Sequence, residues 1–70
     1  MQTAYSSERI IRLRKERGMT QAELARAAGL SRITIAKYET GKIGMSVRSA
    51  QKLASALGCA VGDIIPVITM

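Results

Sequence analysis

The stretch TQAELARAAGLSRITIAKYETG, residues 20–41, decides the fold of this 70-residue chain. Two segments of helix-forming residues lie on either side of Gly29, and Gly41 closes the second segment. Glycine readily takes the left-handed conformation that ends a helix, so each of these two positions predicts a stop. The stretch therefore predicts two short helices joined by a tight turn.

Both helices carry their own start signals. Thr20 and Glu23 have the spacing of a capping box, in which each side chain accepts a hydrogen bond from the backbone N–H of the other residue. Helix two is predicted from Gln21 to Ala28, and helix three from Arg32 to about Thr40, with Ser31 as its cap. The residues predicted to face inward are Leu24, Ala25, Ala28, Ile35 and Tyr38. The outward face of helix three is predicted to hold Arg32, Ile33, Thr34, Ala36 and Lys37.

Upstream of this stretch, helix one is predicted at residues 8–17, ERIIRLRKER. Ser6 or Ser7 can cap its start, and Gly18 can take the stop position. Apolar residues at spacings of three and four define its inward side. That side is formed by Ile10, Leu13 and Arg14.

Downstream, helix four is predicted from Val47 to Leu57, with Ser46 as its cap and Gly58 as its stop. A short fifth helix is predicted at about Val61 to Ile65, where Pro66 ends it. Five short helices around one core give an all-α fold. The predicted inward stripe of helix four is Val47, Ala50, Leu53, Ala54 and Leu57.

Composition narrows the possible functions. The chain has one cysteine, Cys59, and no histidine, so an internal disulfide is excluded and a metal site is not expected. Cys59 is instead expected to be a small packing residue. The absence of histidine and the scattered carboxylates also argue against an enzyme. No cofactor is predicted.

The charge balance points to a polyanionic partner. Eleven basic residues against five acidic ones give a net charge of +6, with an isoelectric point near 10.3. Such an excess on a small domain attracts polyanions, although it could also serve solubility alone. No apolar run approaches the ~18 residues of a membrane span, and a lone cysteine without a secretion signal fits the cytoplasm.

The combined pattern resembles the phage repressor/Cro-type helix-turn-helix family, also called the Xre type. The resemblance covers roughly residues 8–65, and one departure is Met45, which stands where the family usually has a proline before helix four. It implies a compact, five-helix, lambda-repressor-like fold, with the helix-turn-helix at helices two and three. The whole chain, residues 1–70, is expected to be one domain, in which residues 66–70 form an apolar tail. The matching residues are Leu13-Arg14, Gly18 to Gln21, Leu24-Ala25, Gly29 to Ser31, Ile35, Tyr38-Glu39, Gly41, Leu53-Ala54 and Leu57-Gly58.

The resemblance implies that Arg32, Ile33 and Lys37 read DNA bases. The major groove accepts one α-helix, an arginine can donate two bonds to guanine, and an apolar side chain can contact the thymine methyl group. Ala36 lies on the same face and completes the predicted base-contacting set. Alternatively, Arg32 and Lys37 are ordinary solvated charges, but an exposed Ile33 beside them is then hard to explain.

Phosphate contacts are expected around the two helices. Gln21 opens helix two, where the helix dipole favours an anion, and the family uses a glutamine there in this way. It could instead be a neutral residue that merely suits the first turn. The predicted phosphate-contacting residues are Gln21, Ser31, Thr34, Thr40 and Lys42.

By the same resemblance, Arg14 and Glu39 are expected to form a partly buried ion pair between helix one and the end of helix three.

The predicted partner is double-stranded DNA, bound by a transcriptional regulator that acts as a repressor. A homodimer is expected, because one helix reads only a few base pairs. The apolar tail could instead fold back over the core of one copy. The alternative function is a protein-interaction module, for example an antitoxin that binds a toxin. The predicted dimer contacts are Ile64, Ile65, Val67 and Ile68.

Overall fold

The computed structural model describes residues 5–65, which form an all-helical arrangement. Four α-helices follow one another and a short 3-10 helix comes last. The predicted bounds of helices one and three agree with the structure within one residue, and those of helices two and four agree fully. The elements are α1 (Ser7–Glu16), α2 (Gln21–Ala28), α3 (Arg32–Glu39), α4 (Val47–Leu57) and the 3-10 helix (Val61–Asp63).

A serine or threonine caps the start of every α-helix among these residues. Each hydroxyl accepts a hydrogen bond from the backbone N–H three residues later, at distances of 3.0–3.2 Å. The capping box at α2 is complete, since the Thr20 N–H also donates to Glu23 Oε1 at 2.8 Å. Of the two candidates at α1, Ser6 is the cap. The four caps are Ser6, Thr20, Ser31 and Ser46.

Gly29 produces the turn between α2 and α3. Its φ of 69° lies in the left-handed region, which costs other residues about 1–2 kcal/mol. The N–H of Leu30 bonds back to the carbonyl of Ala25 at 2.9 Å, which closes the end of α2. Ser31 then starts α3 at once, so the second helix crosses the first instead of continuing it.

The core lies between the helices. In it, α2 packs against both α3 and α4, and α1 packs against α3. The predicted inward residues of α2 and α3 are all buried, and so are Ala50, Leu53, Ala54 and Leu57 of α4. On α1 Ile10 is fully buried, whereas Leu13 packs against the edge of the core. The completely buried large side chains are Ile10, Leu24, Ile35, Met45, Leu53, Leu57, Ile64 and Ile65.

The predicted fifth α-helix is replaced by a shorter and tighter helix at the same place. Residues Val61–Asp63 form a three-residue 3-10 helix in place of an α-helix over 61–65. The chain between the Gly58 stop and Pro66 is too short for several i to i−4 hydrogen bonds. The Asp63 carboxylate accepts from the Ala60 N–H at 3.0 Å and closes this tight turn.

Val47 was also assigned to the wrong side of α4. Its side chain is 44% exposed, whereas Met45, two residues earlier, is fully buried. The chain therefore enters the core at Met45, before α4 begins. Val47, the first residue of α4, faces solvent. At the position where the resemblance expects proline, Met45 supplies core volume.

The predicted dimer contacts Ile64 and Ile65 need correction. Their exposed fractions are 0% and 1%, because both side chains pack into the core of the single chain. The same atoms cannot also form an interface with a second copy unless the core opens. The other two predicted contacts, Val67 and Ile68, lie outside the described residues, as does the whole predicted tail.

Contacts from the start of the described chain hold the end of α3. Tyr5 Oη donates to the carbonyl of Ile43 at 2.6 Å, and its ring meets the ring of Tyr38 edge to face at 5.7 Å. Ser7 Oγ donates to the carbonyl of Tyr38 at 2.7 Å. No sequence motif indicated these bonds, since the partners lie more than 30 positions apart. They anchor the loop that follows α3.

Candidate nucleic-acid interface

The outer face of α3 is narrow and continuous. At about 100° per residue, the four predicted base-contacting positions fall within an arc of about 140°. The opposite arc holds Ile35, Tyr38 and Glu39, which are the buried residues of this helix. Because these residues hold one side of α3 against the core, the opposite side of α3 faces solvent. The four outward positions are Arg32, Ile33, Ala36 and Lys37.

Ile33 is the most unusual residue of this face. Its side chain is 63% exposed, more than that of Val47, the other exposed large hydrophobic residue among positions 5–65. Arg32 and Lys37 beside it are exposed, and Ala36 is half-buried. A large apolar side chain placed in water between two cations is suited to a partner that is both anionic and locally apolar.

The basic residues of this region are unpaired. In residues 5–65 the only salt bridges are Arg14–Glu39 and Glu16–Arg17, so Arg32, Lys37 and Lys42 have no carboxylate partner. Their full charge is therefore available to an external anion.

The hydroxyl residues predicted to contact phosphate lie at the two ends of α3, with Thr34 in its first turn. Ser31 is exposed and caps the helix, and its Oγ also lies 2.8 Å from Oγ1 of the half-buried Thr34. At the other end, the exposed Thr40 donates its hydroxyl to the carbonyl of Ala36 at 3.0 Å. A hydroxyl oxygen that already takes part in one hydrogen bond can still accept another, and the hydroxyl hydrogen can rotate towards a new acceptor. These groups can therefore also contact a partner at either end of the outer face.

Gln21, at the first position of α2, is half-buried. Its Nε2 donates to Glu39 Oε1 at 3.0 Å, which links the start of α2 to the end of α3. This bond was not predicted, because the two residues lie 18 positions apart and belong to no common motif.

Arg14 and Glu39 form the ion pair suggested by the family resemblance. Arg14 Nε donates to Oε2 at 2.7 Å and Nη2 donates to Oε1 at 3.2 Å. The exposed fractions of the two side chains are only 13% and 5%. Arg14 Nη1 also donates to the carbonyl of Met19 at 2.8 Å. One guanidinium thus joins α1, the link before α2 and the last turn of α3.

The surroundings of Glu39 act on its pKa in opposite directions. Burial favours the neutral acid, which raises the pKa. Hydrogen bonds from Arg14 and Gln21 and the charges of Arg14 and Lys15 favour the carboxylate and outweigh burial. The net pKa lies below the ordinary value of 4.5, so the group is ionised at neutral pH.

The Arg14–Glu39 pair is expected to be coupled more strongly than a surface pair. In a double-mutant cycle of Arg14→Ala and Glu39→Gln, each single change leaves the remaining partner poorly compensated in a site with little access to water. The coupling in the free energy of unfolding should exceed the ~0–1 kcal/mol of exposed pairs. Urea denaturation measures it.

The matched control is the pair of Glu16 and Arg17. These side chains are 58% and 36% exposed and their charged atoms lie 3.8 Å apart. Their cycle should give a coupling close to zero. Equal couplings in the two cycles would show that the Arg14–Glu39 pair contributes no more than a solvated contact.

Cys59 lies half-buried next to the core. Burial, and then the nearby Asp63 carboxylate, raise the pKa of its thiol, and the charge of Arg17 opposes them only in part. The thiol is therefore protonated at neutral pH and poorly nucleophilic, as a packing residue at a helix junction would be. No cluster of potential metal ligands occurs within the described residues.

The fold and the exposed face of α3 define a helix-turn-helix protein. The chain belongs to the HTH_3 helix-turn-helix family, which matches residues 10–64. It is accordingly a DNA-binding transcriptional regulator. Within residues 5–65 no helix has the length and apolar character needed to cross a membrane.

Three known proteins are similar to the chain over most of its length. An uncharacterized HTH-type transcriptional regulator of Archaeoglobus fulgidus is 41% identical over 56 residues, which cover 80% of each chain. The restriction-modification controller protein C.AhdI from Aeromonas hydrophila superposes with a TM-score of 0.80 at 32% identity, covering 81% of this chain and 86% of that one. The P22 c2 repressor, solved in complex with a synthetic operator, has a TM-score of 0.77 at 28% identity, with coverages of 86% and 91%.

Proposed function

We propose that this regulator is a repressor that recognises a specific duplex DNA sequence by placing α3 in the major groove. The observation that carries the proposal is the 63% exposure of Ile33 between the unpaired Arg32 and Lys37. The similarity to the P22 c2 repressor, whose structure contains operator DNA, supports the same placement.

The outer face of α3 suits base recognition. Arg32, in the first turn, can donate two hydrogen bonds to guanine O6 and N7, and Ile33 can cover a thymine methyl group. Ala36 is small enough to let the helix approach the base edges. Lys37, one turn later, can donate to a base acceptor or to a phosphate.

Phosphate contacts on both sides would hold α3 in register. Gln21 and the free N–H groups at the start of α2 can bind one phosphate, where the helix dipole also favours an anion. Ser31 and Thr34 lie at the start of α3, and Thr40 and Lys42 lie after its end. These contacts position the protein and carry no direct sequence information.

Two copies are proposed to act together on DNA. One α3 covers only a few base pairs, whereas a two-fold dimer reads two half-sites about 34–36 Å apart. Its interface does not include Ile64 or Ile65, which lie in the core. Sedimentation with a palindromic duplex should show two protein chains per duplex, and a single chain at saturation would contradict the dimer.

As a transcriptional regulator, the protein is proposed to act in the cytoplasm.

The salt dependence of DNA binding tests the function. Fluorescence anisotropy with a labelled duplex should show an affinity that falls with salt, by about 0.9 log units per tenfold salt increase for each phosphate neutralised. Lys42→Ala should reduce the size of this slope by about 0.9, the contribution of one phosphate contact. Lys52→Ala on α4 is the matched control, since Lys52 is exposed but makes none of the proposed contacts. Binding without salt dependence, or no binding by the folded protein, would contradict the proposal.

A further inference from the structure

We propose that Glu39 is a positioning residue for the phosphate contact of Gln21, an inference that rests on the proposed DNA-binding function. Three donors converge on the Glu39 carboxylate, two from Arg14 and one from Gln21, at 2.7–3.2 Å. Glu39 is only 8% exposed and cannot itself reach a DNA phosphate without leaving the core. Its effect on DNA must therefore pass through the donors that it holds.

The bond from Gln21 fixes the direction of its amide group. A carboxylate only accepts hydrogen bonds, so the NH₂ end of the amide, and not its oxygen, must face Glu39. One of the two N–H groups of Nε2 is then used, and the second remains available. Because Gln21 is half-buried, part of this side chain still faces solvent. The second N–H can therefore donate to a phosphate from an already restricted rotamer.

A carboxylate close to a phosphate site would normally repel the anion. Here Arg14 binds the carboxylate through two nitrogens and neutralises its charge, and the low exposure of both side chains protects the pair from solvent. Arg14 also donates to the carbonyl of Met19 at 2.8 Å, which fixes the backbone two residues before Gln21. Glu39 thus orients the amide group of Gln21, and Arg14 compensates the negative charge of Glu39 that would otherwise repel a phosphate.

A double-mutant cycle in DNA affinity tests the positioning role. Glu39→Gln preserves the shape but leaves one acceptor oxygen for the donors of Arg14 and Gln21. Gln21→Ala and Glu39→Gln alone should each weaken duplex binding about three- to ten-fold, the range of one hydrogen bond. In the Gln21→Ala background, Glu39→Gln should weaken binding less than about two-fold, because the group that it positions is gone.

A purely structural role predicts a different pattern. If Glu39 acted only by tilting α3, Glu39→Gln would cause the same loss with and without Gln21. It would also reduce discrimination between the preferred duplex and a scrambled one. Positioning of a phosphate contact predicts equal fold-losses on both duplexes. Full additivity of the two changes, or lost discrimination, would overturn the proposal.

The side-chain amide signals of Gln21 give a second test that needs no variant. In the ¹⁵N–¹H spectrum of the wild-type protein, one Nε2 proton should be shifted by its bond to the carboxylate. The other proton should move on addition of duplex. If neither proton moves although the duplex binds, the positioning role is wrong. If wild-type protein binds no duplex at all, the proposed function itself fails, and the two failures are thus distinguished.

Discussion

Replacing Leu53 by alanine is expected to lower the free energy of unfolding by about 2–5 kcal/mol. Leu53 is fully buried in the middle of α4, and its loss would leave a cavity among the helices that pack there. Domains of this kind have only about 5–15 kcal/mol of total stability. Urea denaturation followed by circular dichroism should show a clearly lower midpoint.

Val47→Ala on the same helix is the matched control. Val47 is 44% exposed, so shortening its side chain removes little buried surface. The expected change in the free energy of unfolding is below about 0.5 kcal/mol. An unchanged midpoint for Leu53→Ala, or equal losses for both variants, would show that the packing of α4 has been misassigned.

Replacing Arg32 by alanine is expected to weaken binding to the preferred duplex by about 1–3 kcal/mol. Arg32 is exposed at the first position of α3 and has no internal ion-pair partner within residues 5–65. Its removal should therefore leave the fold intact while one base position becomes less selective. Titrations against duplexes that vary one base pair at a time measure both effects.

Gln21→Ala separates base reading from phosphate contact. Because a phosphate contact carries no base information, this change should weaken binding to all the duplexes by about the same factor. Arg32→Ala should instead weaken the preferred duplex most. If Arg32→Ala left the order of preference unchanged, its assignment as a base-reading residue would be wrong.

The helices could be predicted because their signals are local. Thr20 and Glu23 form their capping box within four residues, and Gly29 needs only its own backbone freedom to end α2. The inward stripes also follow from the spacing along one helix, so the burial of Leu24 and Leu53 was predicted correctly. Such features need no knowledge of how distant segments meet.

The errors and omissions concern contacts between distant segments or the ends of helices. The apolar periodicity of α4 includes Val47, but the core begins with Met45, outside the helix. The apolar character of Ile64 and Ile65 does not distinguish burial within one chain from burial between two. On the outer face, the resemblance suggested the Arg14–Glu39 pair, but the bond from Gln21 to Glu39 depends on how α2 and α3 cross.

Selection of binding sites from a pool of random duplexes by the wild-type protein tests the central claim most directly. We expect enrichment of a short motif, repeated in inverted orientation with half-site centres about 10 base pairs apart. Arg32→Ala should enrich a motif that has lost one base position. No enrichment over the starting pool by the folded wild-type protein would contradict sequence-specific recognition of DNA through α3.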